Sequence, residues 1–257
     1  MATTARWRNG QLLYMESARM WKEVWPAYPG AWLHDDFEGV ATTDMSTAGT
    51  AWKMVPNTGA AMTLETVTGA HGVLKVNTHT AEGDNASVAG PLVCWLPSQN
   101  PTVEVRIAVE AADHNALFVG FSDEVNEADT AAPIYRTHGD GSWTTDATDA
   151  VGLIFDPHYV AGTGAYGHAV KNGTDATTPI TTAIPLVANT FQTWRIELVD
   201  NGSATTAYFW IDGVCYGSLS DCVTRTVALT PFISVMTRAA AAHYGYIDYI
   251  KCWSKHS

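Results

Sequence analysis

Residues 102 to 110 read Thr-Val-Glu-Val-Arg-Ile-Ala-Val-Glu, and this alternation constrains the fold more than any other feature of the chain. Successive side chains of an extended strand point to opposite faces, so Val103, Val105, Ile107 and Val109 share one face and Glu104, Arg106 and Glu110 the other. Such a strand is half-buried, with one face in a core and one in water. β-type runs recur at Gly72 to Thr78, Leu117 to Ser122, Val151 to Asp156, Phe191 to Val199, Thr206 to Asp212, Phe232 to Thr237 and Tyr244 to Trp253. Gly, Asn, Asp and Thr separate them and no long helical pattern intervenes, so the expected body is all-β, a two-sheet antiparallel sandwich. Asp212-Gly213, between two apolar runs, supplies the positive φ angles of a type I′ hairpin, and Asn172-Gly173 is a second case. The 257 residues fit one large all-β domain. The stretches from Asp123 to Trp143 and from Asn172 to Asn189 are expected to be long loops at the rims.

The first 30 residues differ from the rest. Residues 1–25 hold four basic side chains (Arg6, Arg8, Arg19, Lys22) against Glu16 and Glu23, a local +2 that leaves −14 for the remainder of a chain whose formal charge is −12. Trp7, Trp21, Trp25 and Trp32 crowd the same end, and Tyr14, Ala18, Trp21 and Trp25 follow a helical i, i+4, i+7, i+11 stripe. Tyr28-Pro29-Gly30 marks a boundary near residue 30. The expected organisation is an extended or helical anchoring arm over residues 1–30 and a sandwich over 31–257. The acidic balance argues against duplex nucleic acid and anionic membrane as partners. No apolar run of signal-peptide or membrane-spanning length is visible, so synthesis in the cytoplasm is expected. The sequons at Asn85, Asn172 and Asn201 then read as turn residues. Cys94, Cys215, Cys222 and Cys252 lack the pairing of a disulfide framework or zinc site and read as buried free thiols.

Motifs with chemical meaning are few. Gly162-Thr163-Gly164-Ala165-Tyr166-Gly167 matches a dinucleotide-binding spacing, but a short strand and turn follow it where a helix is needed. Glycosidase chemistry needs two carboxylates flanking the scissile bond. Only Glu82-Gly83-Asp84 and Glu127-Ala128-Asp129 have the Glu-x-Asp spacing, and both fall in loops that read as solvated charge. The nine histidines show no metal-ligand spacing. Asp140, Asp146 and Asp149 could gather oxygens around calcium, yet they lack the EF-hand order, and acidic turn residues are the plainer reading. No catalytic residue, metal or cofactor is assigned.

Phe191-Gln192-Thr193-Trp194-Arg195-Ile196-Glu197 followed by Phe209-Trp210-Ile211-Asp212-Gly213 resembles the concanavalin A-like lectin/glucanase superfamily, a LamG-like jelly roll. The closing run Tyr244 to Trp253 is similar to that superfamily's last strand, which implies pairing near a first strand at Trp32 to Phe37. Hydrolases of the superfamily carry a third carboxylate that both Glu-x-Asp sites here lack. The opening Ala5-Arg6-Trp7-Arg8-Asn9-Gly10-Gln11-Leu12-Leu13-Tyr14-Met15, joined to such a sandwich, resembles tailed-bacteriophage proteins that decorate the capsid. This second resemblance implies a non-enzymatic virion protein, a capsid decoration or head-fibre component on the capsid surface, assembled in the host cytoplasm. Arg6, Trp7, Arg8, Tyr14, Trp21 and Trp25 would then contact the major capsid protein or a neighbouring subunit, and a homotrimer, or alternatively a dimer, is expected. The alternative is a carbohydrate-binding lectin-like domain reading surface glycans through His138, Asp140 and Trp143. A glycoside hydrolase stands third.

Overall fold

The computed structural model describes residues 5–8, 11–17, 20–24, 32–37, 52–56, 61–65, 72–90, 94–124, 132–136, 142–157, 164–176 and 178–254. Among these described residues, twenty-one strands and one short 3-10 turn at Pro97–Gln99 make up the regular structure. In chain order the strands are β1 (Ala5–Arg8), β2 (Gln11–Ser17), β3 (Met20–Val24), β4 (Trp32–Asp35), β5 (Lys53–Pro56), β6 (Ala61–Glu65) and β7 (Val73–Asn77). They continue as β8 (Asn85–Ala89), β9 (Thr102–Val109), β10 (Asn115–Ser122), β11 (Ile134–Arg136), β12 (Trp143–Thr145), β13 (Ala150–Phe155) and β14 (Tyr166–Lys171). The last are β15 (Thr174–Asp175), β16 (Ile180–Thr181), β17 (Gln192–Asp200), β18 (Thr205–Ile211), β19 (Val214–Leu219), β20 (Thr230–Thr237) and β21 (Tyr244–Trp253).

Two eight-stranded antiparallel sheets form the sandwich. One runs β15-β14-β13-β10-β20-β8-β5 with β16 added on β14; the other runs β19-β18-β17-β9-β21-β7-β6 with β4 added on β21. The alternation of Thr102 to Glu110 is realised as read: Val103, Val105, Ile107 and Val109 are buried. Opposite them on β17, Trp194 pairs with Val105 and Ile196 with Val103, and both are buried, as are Phe209 and Ile211 on β18. β4 pairs with β21 through Trp32 opposite Trp253 and Leu33 opposite Cys252, so the first strand of the body lies beside the last. Both hairpin turns have the expected backbone, with φ of 49° and 80° at Asp212-Gly213 and 50° and 69° at Asn172-Gly173.

The strands of the β10 sheet depart from alternation. Every residue of β8, β10, β13 and β20 is buried. One face of each belongs to the main core, with Leu117, Val119, Phe121, Val151 and Leu153. The other carries a second apolar cluster of Phe118, Ile154, Phe232 and Met236, which Ala132, Ile134 and Ala147 from the segment around β11 and β12 cover. The expected loop from Asp123 to Trp143 therefore contributes a strand, β11, paired with β12 through Arg136 opposite Trp143.

The described residues of the N-terminal segment are extended rather than helical. β1, β2 and β3 form a separate three-stranded antiparallel sheet, in which Trp7 lies opposite Leu12, Tyr14 opposite Lys22 and Met15 opposite Trp21. The helical stripe is thus corrected: a short isolated helix is marginal in water, whereas a three-stranded meander pairs backbone groups across neighbouring strands. Ala18 and Trp25 lie outside the described residues. Two smaller expectations are corrected as well. Asn85 sits on β8 and is buried, not in a turn, while Asn172 and Asn201 do occupy turns. Of the four free cysteines, Cys222 and Cys252 are buried but Cys94 and Cys215 are exposed.

Candidate functional site

Three places on the sandwich gather chemistry-bearing side chains. The first lies under the β11–β12 hairpin. β14 carries His168 onto the face of its sheet away from the main core, where the imidazole is fully buried and neither ring nitrogen has a hydrogen-bond partner. Trp143 of β12 packs against it at 4.3 Å between ring centroids, and the Arg136 guanidinium sits 3.9 Å from the Trp143 ring centre. Tyr166 closes the group, edge-on to Trp143 at 6.0 Å. Burial, and secondarily the charge of Arg136, push the His168 pKa down to about 4. Beside this group Arg238 donates to Asp156 and, at 2.6 Å, to the Arg136 carbonyl, deep enough that both ionic side chains are only 4% exposed.

Because the folded-state pKa of His168 lies below its ordinary value, the unfolded chain binds more protons between about pH 4 and 6.5. Stability from this group is complete above about pH 6.5 and is lost as the pH falls through that window, by about 3 kcal/mol. Urea denaturation of wild type and His168→Phe across pH 4 to 7 checks this: the variant's stability is expected to fall less on acidification by that amount, and parallel curves would refute it.

The second place is a cleft of about 420 Å³ at the open edge of the sandwich, between β14 and β15 of one sheet and β19 of the other. Its walls include Thr174, Thr178, Ser218 and Ser220 hydroxyls, and Lys171 bonds Asp221 at 2.5 Å beside them. Asp175 also lines it, with one carboxylate oxygen buried and unpartnered and a pKa raised by burial. The third is a rim corner where Asp123, at the end of β10, meets Asp149, at the start of β13.

Of the residues singled out from sequence, Trp143 is half-buried and its ring is engaged by Arg136 and His168. His138 and Asp140 lie outside the described residues, as do Glu127 and Asp129. Arg6, Trp7, Arg8, Tyr14 and Trp21 are placed on β1 to β3 by backbone alone, and Trp25 is outside. Glu82 is exposed in the turn, whereas Asp84 is half-buried and its Oδ2 meets His79 Nδ1 at 3.1 Å and accepts from the Ala81 amide at 2.9 Å. Asp146 is exposed, whereas Asp149 is fully buried. Among the described residues no group of three or more His, Cys, Asp or Glu side chains is placed to hold a metal ion. The glycines of the dinucleotide-like motif that are described serve packing: a Cβ on Gly164 would meet the Ala183–Ile184 backbone at 2.5 Å, and one on Gly167 the Phe209 ring at 2.5 Å. Sequence reasoning missed His168, Arg136, Asp156 and Arg238. The signal was the lack of polar alternation in Leu117 to Phe121 and Val151 to Phe155, which demands cover on both faces.

No family model matches the sequence, and no curated protein matches it. Solved structures do match in fold. The carbohydrate recognition domain of Emp46p in its potassium-bound form is 11% identical with a TM-score of 0.56, covering 85% of this chain and 94% of that one. A β-glucanase of Bacillus licheniformis is 12% identical with a TM-score of 0.54, covering 89% and 100%. Peanut lectin is 10% identical with a TM-score of 0.53, covering 88% and 97%. The body therefore has the concanavalin A-like jelly-roll fold that lectins and glucanases share.

Proposed function

We propose that this chain is a non-enzymatic virion structural protein, a bacteriophage capsid decoration or head-fibre component, attached to the major capsid protein through its N-terminal segment. The observation that carries the reading is that β1, β2 and β3 build a sheet of their own, separate from both sheets of the sandwich. That segment is locally +2 while the remainder is −14, so the two parts suit different surroundings. Arg6, Trp7, Arg8, Tyr14, Trp21 and Trp25 are residue types that dominate interfaces. The sandwich then faces outward on the capsid surface, where an acidic exterior keeps particles apart, and a homotrimer or dimer suits the symmetry axes of a shell. Support against catalysis comes from the carboxylates: Asp156 is held by Arg238, Asp84 is held by His79 at 3.1 Å, and Glu82 is exposed.

Deleting residues 1–30 tests the reading. The truncated protein is expected to remain folded and soluble while losing cosedimentation with capsids by at least about tenfold, the effect of removing one or two interface hot spots. Unfolding of the truncated protein, or unchanged particle binding, overturns it.

A second reading, a glycan-binding domain, is favoured by one observation, the hydroxyl-lined edge cleft with the unpartnered Asp175 oxygen. Retention of the full chain on a glycan array, lost in Asp175→Ala, supports that reading; a blank array counts against it.

A further inference from the structure

We propose that the cleft at the open edge of the sandwich, between β15 of one sheet and β19 of the other, receives the basic N-terminal segment of a neighbouring copy of this chain as an added strand, with an arginine of that segment meeting Asp175. This names a partner for the N-terminal segment and rests on its reading above as an attachment element. Among the described residues β15 and β19 are the end strands of their sheets. An end strand leaves backbone N–H and C=O groups without a ladder partner, and an incoming extended segment satisfies them. Thr174 and Asp175 of β15 and Ser218 and Leu219 of β19 line the cleft, whose volume is about 420 Å³.

The cleft asks for a positive charge. One oxygen of Asp175 is buried with no hydrogen-bond partner, which is costly for a carboxylate unless something positive meets it. Lys171, the cation on the same wall, is taken by Asp221 at 2.5 Å. Burial raises the Asp175 pKa, a direction that an incoming cation reverses. Among the described residues no aromatic side chain lines the cleft, unlike the aromatic-walled sites of most small ligands. The walls are instead hydroxyls and the small side chains of Ala169 and Ala176, which let a backbone come close.

The chain itself holds the complement. Residues 1–25 are locally +2 against −14 for the remainder, so the segment of one copy is drawn to the body of the next. β1, Ala5-Arg6-Trp7-Arg8, is extended and is an end strand of its own sheet, in the order β1-β2-β3, so it too has an edge to offer. Arg6 and Arg8 are two positions apart, a spacing that puts both on one side of a strand. A guanidinium matches a carboxylate with two parallel donors, which makes arginine the fitting cation for Asp175. Each copy carries one segment and one cleft, and such an exchange closes reciprocally in a dimer or head-to-tail in a trimer.

The test is sedimentation of the full chain at micromolar concentration, alone and as charge-reversed variants. The wild type is expected to self-associate, and Asp175→Arg and the double variant Arg6→Glu with Arg8→Glu are each expected to weaken this at least about tenfold. An equimolar mixture of the two is expected to restore the oligomer, because each segment then faces a cleft of opposite charge. If Asp175→Arg does not fold, the isosteric Asp175→Asn supplies the same weakening. A monomeric wild type, variants that associate as tightly as the wild type, or a mixture that stays monomeric overturns the proposal. Glycan retention lost in Asp175→Ala with self-association unchanged assigns the cleft to a glycan and also overturns it. Cosedimentation with capsids is read separately. Oligomers that form as expected but do not bind capsids uphold the exchange and count against the capsid assignment, whereas capsid binding by a monomeric wild type overturns the exchange alone.

Discussion

Arg238→Met is expected to destabilise the protein by about 3–5 kcal/mol, the cost of breaking a buried pair by removing one partner. Arg238 follows β20 and Asp156 follows β13, and their side chains are each only 4% exposed. Arg238 also reaches the Arg136 carbonyl at 2.6 Å, so one guanidinium joins the ends of two sheet strands to the hairpin that covers their outer face. Methionine fills much of the volume but takes the Arg238 charge away from the buried Asp156 carboxylate. Replacing both residues, Arg238→Met with Asp156→Leu, removes the stranded charge and is expected to recover most of the loss. The residue is the unmet Arg136 carbonyl, about 1–3 kcal/mol. Urea denaturation of the two single variants and the double one checks the sign of the coupling; additive losses would show that the pair does not act as a unit.

That pair also marks where a linear reading stops. Strands facing water on one side were legible because burial there follows a period of two: β9, β17 and β18 alternate almost without fault. The Asp212-Gly213 and Asn172-Gly173 turns were legible because a positive φ restricts residue choice. β8, β10, β13 and β20 were legible only as apolar runs. Both their faces are buried, so nothing local says which face meets the core and which meets the β11–β12 cover. The N-terminal tryptophans misled for a related reason. Spacings of three and four can be met by chance in a short aromatic-rich stretch, and strand pairing depends on the next segment along, not on the stretch itself.

The candidate sites were less legible still, because each depends on long-range juxtaposition. Asp149 meets Thr224 across 75 positions, and Asp156 meets Arg238 across 82. His168 was read within a turn-bound strand of no special chemistry. Its character comes from Trp143 and Arg136, which the hairpin delivers from a segment expected to be a loop. The glycine motif shows the converse. Its spacing was visible, while its meaning as a packing device needed the opposite sheet.

Phe209→Ala is expected to cost about 3–5 kcal/mol, and the glycine facing it explains why a smaller residue cannot be accommodated by collapse. Phe209 is fully buried on β18, and a Cβ on Gly167 of β14 would come within 2.5 Å of its ring, so the two sheets approach closely at this point. Removing the ring opens a cavity against a backbone that both sheets fix by hydrogen bonding: β14 is paired to β13, β15 and β16, and β18 to β17 and β19. The reciprocal change, Gly167→Val, adds methyl groups where the ring already sits and is expected to cost about 1–3 kcal/mol as overpacking. Combined, the two changes should cost less than their sum by roughly 1–2 kcal/mol, because the valine side chain partly fills the space the phenylalanine vacates. Equilibrium denaturation of the two single variants and the double variant measures the coupling directly. Strict additivity would mean that Gly167 is there for its backbone conformation or for a ligand's approach, and would reopen the dinucleotide-like spacing from Gly162 to Gly167 as more than a packing device.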